Sequence, residues 1–552
     1  VVDSLKKNPS FKGRKGPVVL CIMDGVGFGK YEEGDAVLGA KTPVLDDITK
    51  NNPSVRLKAH GKAVGLPSDD DMGNSEVGHN AMGCGRVFSQ GAKLVQNSID
   101  TGAMFTGGTW KKLVANAISN KAALHFIGLL SDGNVHSHIN HLKSMIEQAK
   151  KDGVSMVRVH ALLDGRDVGE TSALDYFDPF EAFLNDLNDD SFDAAIASGG
   201  GRMKITMDRY NADWSMVELG WKTHVLGEGE LFTSAHEAIV DLRERSGAID
   251  QDLPPFVIAD NEGNPLGPVS DGDSVIFFNF RGDRSIEISK AFTEGESFHE
   301  FDRVKVPAVE YAGMMEYDGD LHIPAQYLVN PPEISRTMSE YLVATGIKQY
   351  SISETQKFGH VTYFFNGNKT GKFSEELETY VEIPSDNVPF ENKPAMKCKE
   401  ITDNLLEAIS SGNYPFIKLN FPNGDMVGHT GVYSAVVESM EAMDRQIGRI
   451  REAVEKAGGI LILTADHGNA DDMYEHDKKT GAVIHNAKGT PKAKTSHSLN
   501  PVPCVIYDPD YAGDYDKELV EGLGISSLAA TCINLLGYVA PDDYDKSIIT
   551  LK

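Results

Sequence analysis

Short apolar runs that stop abruptly in glycine-rich, charged loops recur along this chain. Pro17–Met23 (PVVLCIM) runs into Asp24-Gly25-Val26-Gly27, and Leu124–Leu130 (LHFIGLL) into Ser131-Asp132-Gly133-Asn134-Val135-His136. Val157–Leu163 (VRVHALL) meets Asp164-Gly165-Arg166-Asp167, and Ala194–Ala197 meets Ser198-Gly199-Gly200-Gly201-Arg202. Val275–Phe280 (VIFFNF) ends at Arg281-Gly282-Asp283-Arg284, and Gly459–Ala465 (GILILTA) at Asp466-His467-Gly468-Asn469. Runs of this length, rich in β-branched and aromatic residues, predict buried strands. Helical stretches intervene. Over Val432–Val454, the residues Val432, Val436, Met440, Met443, Ile447, Ile450 and Val454 fall on one face, a stripe that predicts core packing. Strands alternating with helices imply α/β architecture with mostly parallel sheets and helices on both faces. In such sheets ligands bind beyond the carboxyl ends of the strands, so the charged loops are where chemistry is expected.

The loops differ in character along the chain. Those near both ends carry Asp, His and Ser, whereas those between about 130 and 285 carry Arg with a few Asp and His. This predicts one domain built from both termini, residues 1–88 and 318–552, with a second α/β domain, 89–317, inserted into it. The expected junctions lie near Phe88–Gln90 and Tyr311–Asp318. A chain of 552 residues exceeds what one compact core accommodates, and its length by itself suits two or three domains. Its 53 Lys+Arg against 81 Asp+Glu give a formal net charge of −28, which repels nucleic acid and anionic lipid and argues against either as a partner. An anionic substrate must then be met by a local basic cluster. Five scattered cysteines without CxxC spacing argue for a reducing compartment and against a thiolate zinc site. The opening VVDSLKKNPSFKGRKG carries no apolar run of signal-peptide type, and the expected location is the cytoplasm.

Several residues have the chemistry of metal ligands. On a helix, Asp425 and His429 stand at i and i+4, which puts carboxylate and imidazole on one face. Asp466-His467 follows a strand, and Asp24 ends another; each by itself is equally a turn residue. His497 is the favoured late histidine. His476 and His485 are rivals on spacing alone, set aside because they lie in a Lys-rich stretch that reads as surface loop. Mixed carboxylate and imidazole sets without thiolate suit Mn, Zn or Co, and a two-metal centre suits phosphoryl or sulfuryl transfer. Ser75, in Gly73-Asn74-Ser75-Glu76-Val77-Gly78-His79, reads alone as a helix N-cap before it reads as a nucleophile. With metal ligands around it, its hydroxyl is set for phosphorylation at a helix N-terminus. Arg166, Arg202, Arg209, Arg281 and Arg284 predict a basic pocket for phosphate and carboxylate. Asp167 suits substrate hydroxyls or proton movement, and His136 the phosphate, while His138 and His141 read as structural.

MDGVGFG at Met23–Gly29, GNSEVGH at Gly73–His79, SDGNVHSH at Ser131–His138 and DGRD at Asp164–Asp167 occur in order with NFRGDR at Asn279–Arg284. NGDMVGHTG at Asn423–Gly431, TADHGNAD at Thr464–Asp471 and TSHSLNPVP at Thr495–Pro503 complete the series. Together these motifs resemble the cofactor-independent phosphoglycerate mutases of the alkaline phosphatase-like superfamily, over nearly the whole chain. The resemblance implies an alkaline phosphatase-like domain holding one metal by Asp425, His429 and His497, and a second by Asp24, Ser75, Asp466 and His467. It implies Ser75 as the phosphorylated nucleophile and two divalent ions (Mn, Mg or Co), with no requirement for 2,3-bisphosphoglycerate. His136, Arg166, Asp167, Arg202, Arg209, Arg281 and Arg284 would bind substrate, joined by Lys357. The implied activity interconverts 3- and 2-phosphoglycerate in glycolysis and gluconeogenesis; a large self-contained enzyme of this kind is expected to be a monomer. The chain departs from short bacterial-type members in a longer segment between Arg202 and Arg209 and in an extension over Tyr474–Lys494. A phosphohydrolase or phosphopentomutase sharing the metal motifs is the alternative enzyme, and a non-catalytic phosphate- or metal-binding protein the alternative class.

Overall fold

The computed structural model describes residues 1–89, 91–209, 211–331 and 333–552. In chain order the strands are β1 (Val18–Met23), β2 (Ser54–Leu57), β3 (Leu124–Leu129), β4 (Met156–Leu163), β5 (Asp193–Gly201), β6 (Glu230–Phe232) and β7 (Phe256–Ile258). They continue as β8 (Ser274–Phe277), β9 (Glu310–Gly313), β10 (Gln349–Glu354), β11 (Glu378–Ile383), β12 (Phe416–Phe421), β13 (Ile460–Thr464) and β14 (Val502–Tyr507). Contacts divide the chain into two units, Val1–Phe88 with Pro332–Lys552, and Ser89–Pro331. Gln90, at the first expected junction, lies outside the described residues. Residues 318–331, expected with the terminal segments, pack within the second unit instead. There Leu328 N–H donates to Gly313 O and Val329 N–H to Met314 O, which prolongs the edge beside β9 without an apolar run to announce it.

The first unit holds a seven-stranded sheet in the order β11-β10-β12-β1-β13-β14-β2. β11 to β13 run parallel, and β14 and β2 close the edge antiparallel. Every residue of β1, β10, β12 and β13 is buried, so both faces of the sheet centre are covered; this is why β1 and β13 read as apolar runs without alternation, while β10 (QYSISE) and β12 (FIKLNF) bury polar side chains as well. The helix Tyr433–Ala457 buries Val436, Met440, Met443, Ile447, Ile450 and Val454 against this core. Val432 stays outside as its N-cap, and Gly458 at φ 73° ends it.

The second unit holds another seven-stranded sheet, β6-β7-β5-β4-β3-β8-β9, parallel except for the β5–β7 pair. The run Gly199–Gly201, expected as loop, is strand: it pairs with Ala161–Leu163 of β4. A Cβ on Gly199 would stand 2.5 Å from both Ala161 O and the Phe256 ring, so glycine is what lets three strands crowd here. Among the described residues no helix is long and apolar enough to cross a membrane.

Candidate active site

In the first unit, four neighbouring parallel strands end on polar residues. Asp24 follows β1, and Asp466 and His467 follow β13. The helix Asn423–Gly428 after β12 carries Asp425, and the helix Thr355–Gly359 after β10 carries Lys357. Ser75 opens the helix Ser75–Cys84. It is not the N-cap; Asn74 is, its Oδ1 accepting from Val77 N–H at 2.9 Å. That leaves the Ser75 hydroxyl to face the carboxylates. This helix approaches Asp466 through Gly78, where a Cβ would lie 2.9 Å from Asp466 O.

Ser75 Oγ donates to Asp24 Oδ1 at 3.1 Å, accepts from Lys357 Nζ at 2.6 Å and lies 3.0 Å from His467 Nε2. Lys357 Nζ also donates to Asp425 Oδ2 at 2.8 Å and stands 3.5 Å from Asp24 Oδ2. Asp425 and His429 meet as the helical spacing predicts, Oδ1 to Nε2 at 3.1 Å, and His497 Nε2 is 2.9 Å from the same oxygen. The His467 and His497 rings stack at 3.8 Å. Asp24, Ser75, Asp425, Asp466, His467 and Lys357 are each 1% exposed or less. His476, in contrast, stacks on Tyr31, and His485 is exposed. Tyr474–Lys494 folds as irregular antiparallel rungs, Tyr474 with Ala493, His476 with Val483 and His485 with Pro491.

Three buried carboxyl groups and the Lys357 ammonium share this site. Burial pushes Asp24 and Asp425 up, but Lys357 and the neighbouring imidazoles more than offset it and hold both low. Asp466 goes the other way, raised by burial and by Asp24. Its Oδ2 makes no hydrogen bond among the described residues. The imidazoles are oriented for cation binding. His429 Nδ1 is 2.8 Å from Thr495 O, His497 Nδ1 2.7 Å from Gly73 O and His467 Nδ1 3.0 Å from Gly468 O. A carbonyl only accepts, so each Nδ1 carries the proton and turns Nε2 inward. His429 Nε2 and His497 Nε2 then face each other at 3.2 Å beside a carboxylate, an arrangement that a divalent cation relieves. Asp425, His429 and His497 offer ligand atoms within 4.8 Å of one another, as do Asp24, Asp425 and His467, and Asp24, His79 and Asp466.

His79 closes the GNSEVGH motif, and the sequence gives it no role. Its Nδ1 donates to Ser75 O at 2.7 Å, and burial lowers it to about 4. The i, i+4 spacing from Ser75 is the signal that would have found it. Asn420, which donates to Asp24 Oδ2 at 2.8 Å, and Asn469, which donates to Asp425 Oδ1 at 3.0 Å, were also missed.

In the second unit the arginines likewise follow neighbouring strands: Arg166 and Asp167 after β4, Arg202 after β5, Arg281 and Arg284 after β8, and His136 after β3. Arg202 donates to Asp164 Oδ1 at 2.9 Å and Asp167 Oδ2 at 2.6 Å. Arg209 donates to Asp283 Oδ2 at 3.2 Å, and Arg281 Nε is 3.3 Å from Asp283 Oδ1. Arg284 donates to Met207 O at 2.7 Å. Arg166 is exposed. Burial and the charges of Arg209, Arg202 and Arg166 pull the Arg284 guanidinium down to about 10. Burial, then Arg202, Arg281, Arg284 and Arg209, push His136 well below its usual value, so it sits neutral in a cationic field. Asp164 and Asp283, which organise the arginines, had no assigned role. Nearby, His138 Nδ1 caps the helix Ile139–Lys151 through Asn140 N–H, and His141 packs its ring against Phe280.

Residues 16–540 match the Metalloenzyme superfamily. The chain is 54% identical over 548 residues to a probable 2,3-bisphosphoglycerate-independent phosphoglycerate mutase of Leptospira interrogans, covering 99% of each. It is 51% identical over 538 residues to the 2,3-bisphosphoglycerate-independent phosphoglycerate mutase of Trypanosoma brucei brucei, covering 96% of this chain and 97% of the relative. Among solved structures, Leishmania mexicana phosphoglycerate mutase at low cobalt concentration is similar over 100% of both chains, at 48% identity and a TM-score of 0.63. With likeness at this level over its whole length, the chain belongs to the Metalloenzyme superfamily and, within it, to the 2,3-bisphosphoglycerate-independent phosphoglycerate mutases.

Proposed function

We propose that this chain interconverts 3-phosphoglycerate and 2-phosphoglycerate, with Ser75 carrying the phosphoryl group between the two oxygens. The observation that carries the reading is the setting of Ser75 Oγ, 2.6 Å from Lys357 Nζ and 3.1 Å from Asp24 Oδ1 at the end of a buried sheet. Two divalent ions (Mn, Mg or Co) suit the first unit: Asp425, His429 and His497 would hold one, and Asp24, Ser75, Asp466 and His467 the other, Asp24 offering ligand atoms within 4.8 Å of His467 and of Asp466 in two overlapping groups. When bound, they supply Lewis acidity that acidifies the serine hydroxyl and offsets charge on phosphoryl oxygens.

Ser75 Oγ attacks phosphorus of 3-phosphoglycerate, the bond to the C3 oxygen breaks, and that oxygen takes up a proton. The C2 hydroxyl then gives up its proton and attacks phospho-Ser75, which restores the serine and releases 2-phosphoglycerate. Two in-line displacements predict net retention at phosphorus. Lys357 donates to Ser75 Oγ and is placed to stabilise charge on it and on the transferring group. Complete burial of Ser75 keeps bulk water from its ester. In the second unit, Arg202, Arg209, Arg281 and Arg284, with Arg166 and a neutral His136, hold the substrate's carboxylate and phosphate, and Asp167 handles the hydroxyl protons. The net charge of −28 supports a small-molecule substrate and neither nucleic acid nor membrane as partner. Five free, buried thiols suit a reducing cytoplasm, where the chain acts as a monomer.

The test is incubation of the metal-loaded protein with 3-phosphoglycerate. The reading predicts 2-phosphoglycerate without added 2,3-bisphosphoglycerate; release of inorganic phosphate alone would make the chain a phosphohydrolase. Retention of mutase activity by Ser75→Ala would overturn the serine-linked route.

A further inference from the structure

Six buried polar side chains of the second unit take no part in the chemistry above, yet they form one continuous line. His125 Nε2 is 2.8 Å from Asp273 Oδ2, and His125 Nδ1 is 2.9 Å from His160 Nε2. His160 Nδ1 is 2.6 Å from Ser198 Oγ, Ser198 Oγ is 2.6 Å from His224 Nδ1, and His224 Nε2 is 2.9 Å from Thr206 Oγ1. The line crosses β3, β4 and β5, reaches the helix Trp214–His224 and ends in the turn between Arg202 and Arg209. His125, His160, Ser198, His224 and Thr206 are each 1% exposed or less.

For three neutral imidazoles, elementary hydrogen-bond accounting fixes the direction of every bond. A carboxylate only accepts, so Nε2 of His125 carries the proton and Nδ1 accepts from His160 Nε2–H. His160 Nδ1 then accepts the single hydroxyl proton of Ser198, whose oxygen accepts from His224 Nδ1–H. His224 Nε2 accepts from the Thr206 hydroxyl. With three neutral imidazoles no donor meets a donor and no acceptor is wasted. Burial lowers His160 well below its usual value and His224 to about 3, in keeping with neutral rings.

The end point is unusual. Thr206 has φ 71°, a left-handed conformation that β-branched residues avoid and that persists only where surroundings impose it. Its N–H donates to Met216 O at 2.9 Å, and a Cβ on Gly220 would come within 2.2 Å of its Oγ1. The next carbonyl, Met207 O, accepts from Arg284, and Arg202 and Arg209 flank the turn. We propose that the line from Asp273 to Thr206 is a positioning device that holds the arginine-bearing turn in its substrate-binding shape.

The proposal rests on the reading that these arginines bind phosphoglycerate, and the test separates the two. Thr206→Val keeps the shape and removes the hydroxyl, which strands His224 Nε2 and lets the turn relax. It should raise KM for 3-phosphoglycerate about tenfold while kcat stays within about threefold, and Thr206→Ser should restore KM. If Thr206→Val leaves KM unchanged while Arg284→Ala raises it, the positioning role is wrong. If Arg284→Ala also leaves KM unchanged, the substrate-binding reading beneath it falls. Long-range nitrogen–proton spectra of the unmutated, histidine-labelled protein decide the line itself, even if a variant does not fold. The proton should reside on Nε2 of His125 and His160 and on Nδ1 of His224; a proton on Nε2 of His224 would contradict the proposal.

Discussion

The first unit gathers its polar residues behind β10, β12, β1 and β13, and the second behind β5, β4, β3 and β8. Each set is four adjacent parallel strands delivering loops to one end of a sheet, as open parallel sheets do. The charges they deliver are opposite. Asp24, Asp425 and Asp466 share one ammonium in the first, so acceptors are in excess and cations are wanted. Arg202, Arg209 and Arg281 pair with Asp164, Asp167 and Asp283 in the second, with Arg284 and Arg166 close by, so donors are in excess and anions are wanted. The scaffold decides where the residues stand; the identity of a few loop side chains decides what binds there. An overall charge of −28 makes the basic cluster the more telling of the two, because it is built against the field of the whole chain.

The sharpest way to break this contrast is to remove cations from the first site alone. Chelation should take mutase turnover to background, and Mn, Co or Mg should restore it; full activity after exhaustive chelation would remove the cation-demanding half of the contrast. Lys357 is the resident cation of that site, and Lys357→Met should lower kcat by about 10²–10³ with a smaller change in KM. An unchanged kcat would mean that its contact with Ser75 Oγ is packing only. In the second unit the same logic predicts a binding defect: Arg284→Ala should raise KM by about ten- to a hundredfold. A loss confined to kcat would blur the division of labour between the units. The smallest effect concerns Glu287, buried beneath the arginine turn and pushed to about 9 by burial and the neighbouring Asp208 carboxyl. The folded chain keeps a proton there that the unfolded chain releases from about 4.5 upward, so this group's stabilisation falls as pH rises from about 4.5 to about 9. Glu287→Gln should keep activity and flatten the decline of melting temperature over that window; a parallel decline in both proteins would show that Glu287 does not cause it.

Legibility in the sequence followed the same division. Among the ligand-like residues of the first unit, Asp24, Asp466 and His467 directly follow apolar runs and Asp425 and His429 show helical spacing, so these five are legible in the sequence. β1 and β13 read well for the same reason, since burial on both faces leaves an unbroken apolar signal, whereas the equally buried β10 and β12 carry polar residues and give none. What escaped were groups whose role depends on which strands are neighbours. Asn420 lies inside a buried strand, and nothing local shows that it faces Asp24. His125, His160 and Ser198 are set in three strands and become a line only through the β3–β4–β5 register. The Gly199–Gly201 run looked like loop because composition does not reveal that Phe256 and Ala161 crowd against it. Residues 318–331 were assigned to the wrong unit because their pairing beside β9 is irregular backbone bonding. Ser75 was ambiguous for a local reason, since Asn74 and Ser75 are both good caps, and only backbone geometry shows which one caps.

The central claim is that Ser75 carries the phosphoryl group in transit, and it is tested most directly by trapping. Metal-loaded protein is mixed with phosphate-labelled 3-phosphoglycerate, quenched within one turnover and digested for mass mapping. The account predicts label on the peptide carrying Ser75, lost in Ser75→Ala and chased into 2-phosphoglycerate by unlabelled substrate. Label on another residue, or 2-phosphoglycerate formed within one turnover with none on the protein, would contradict it.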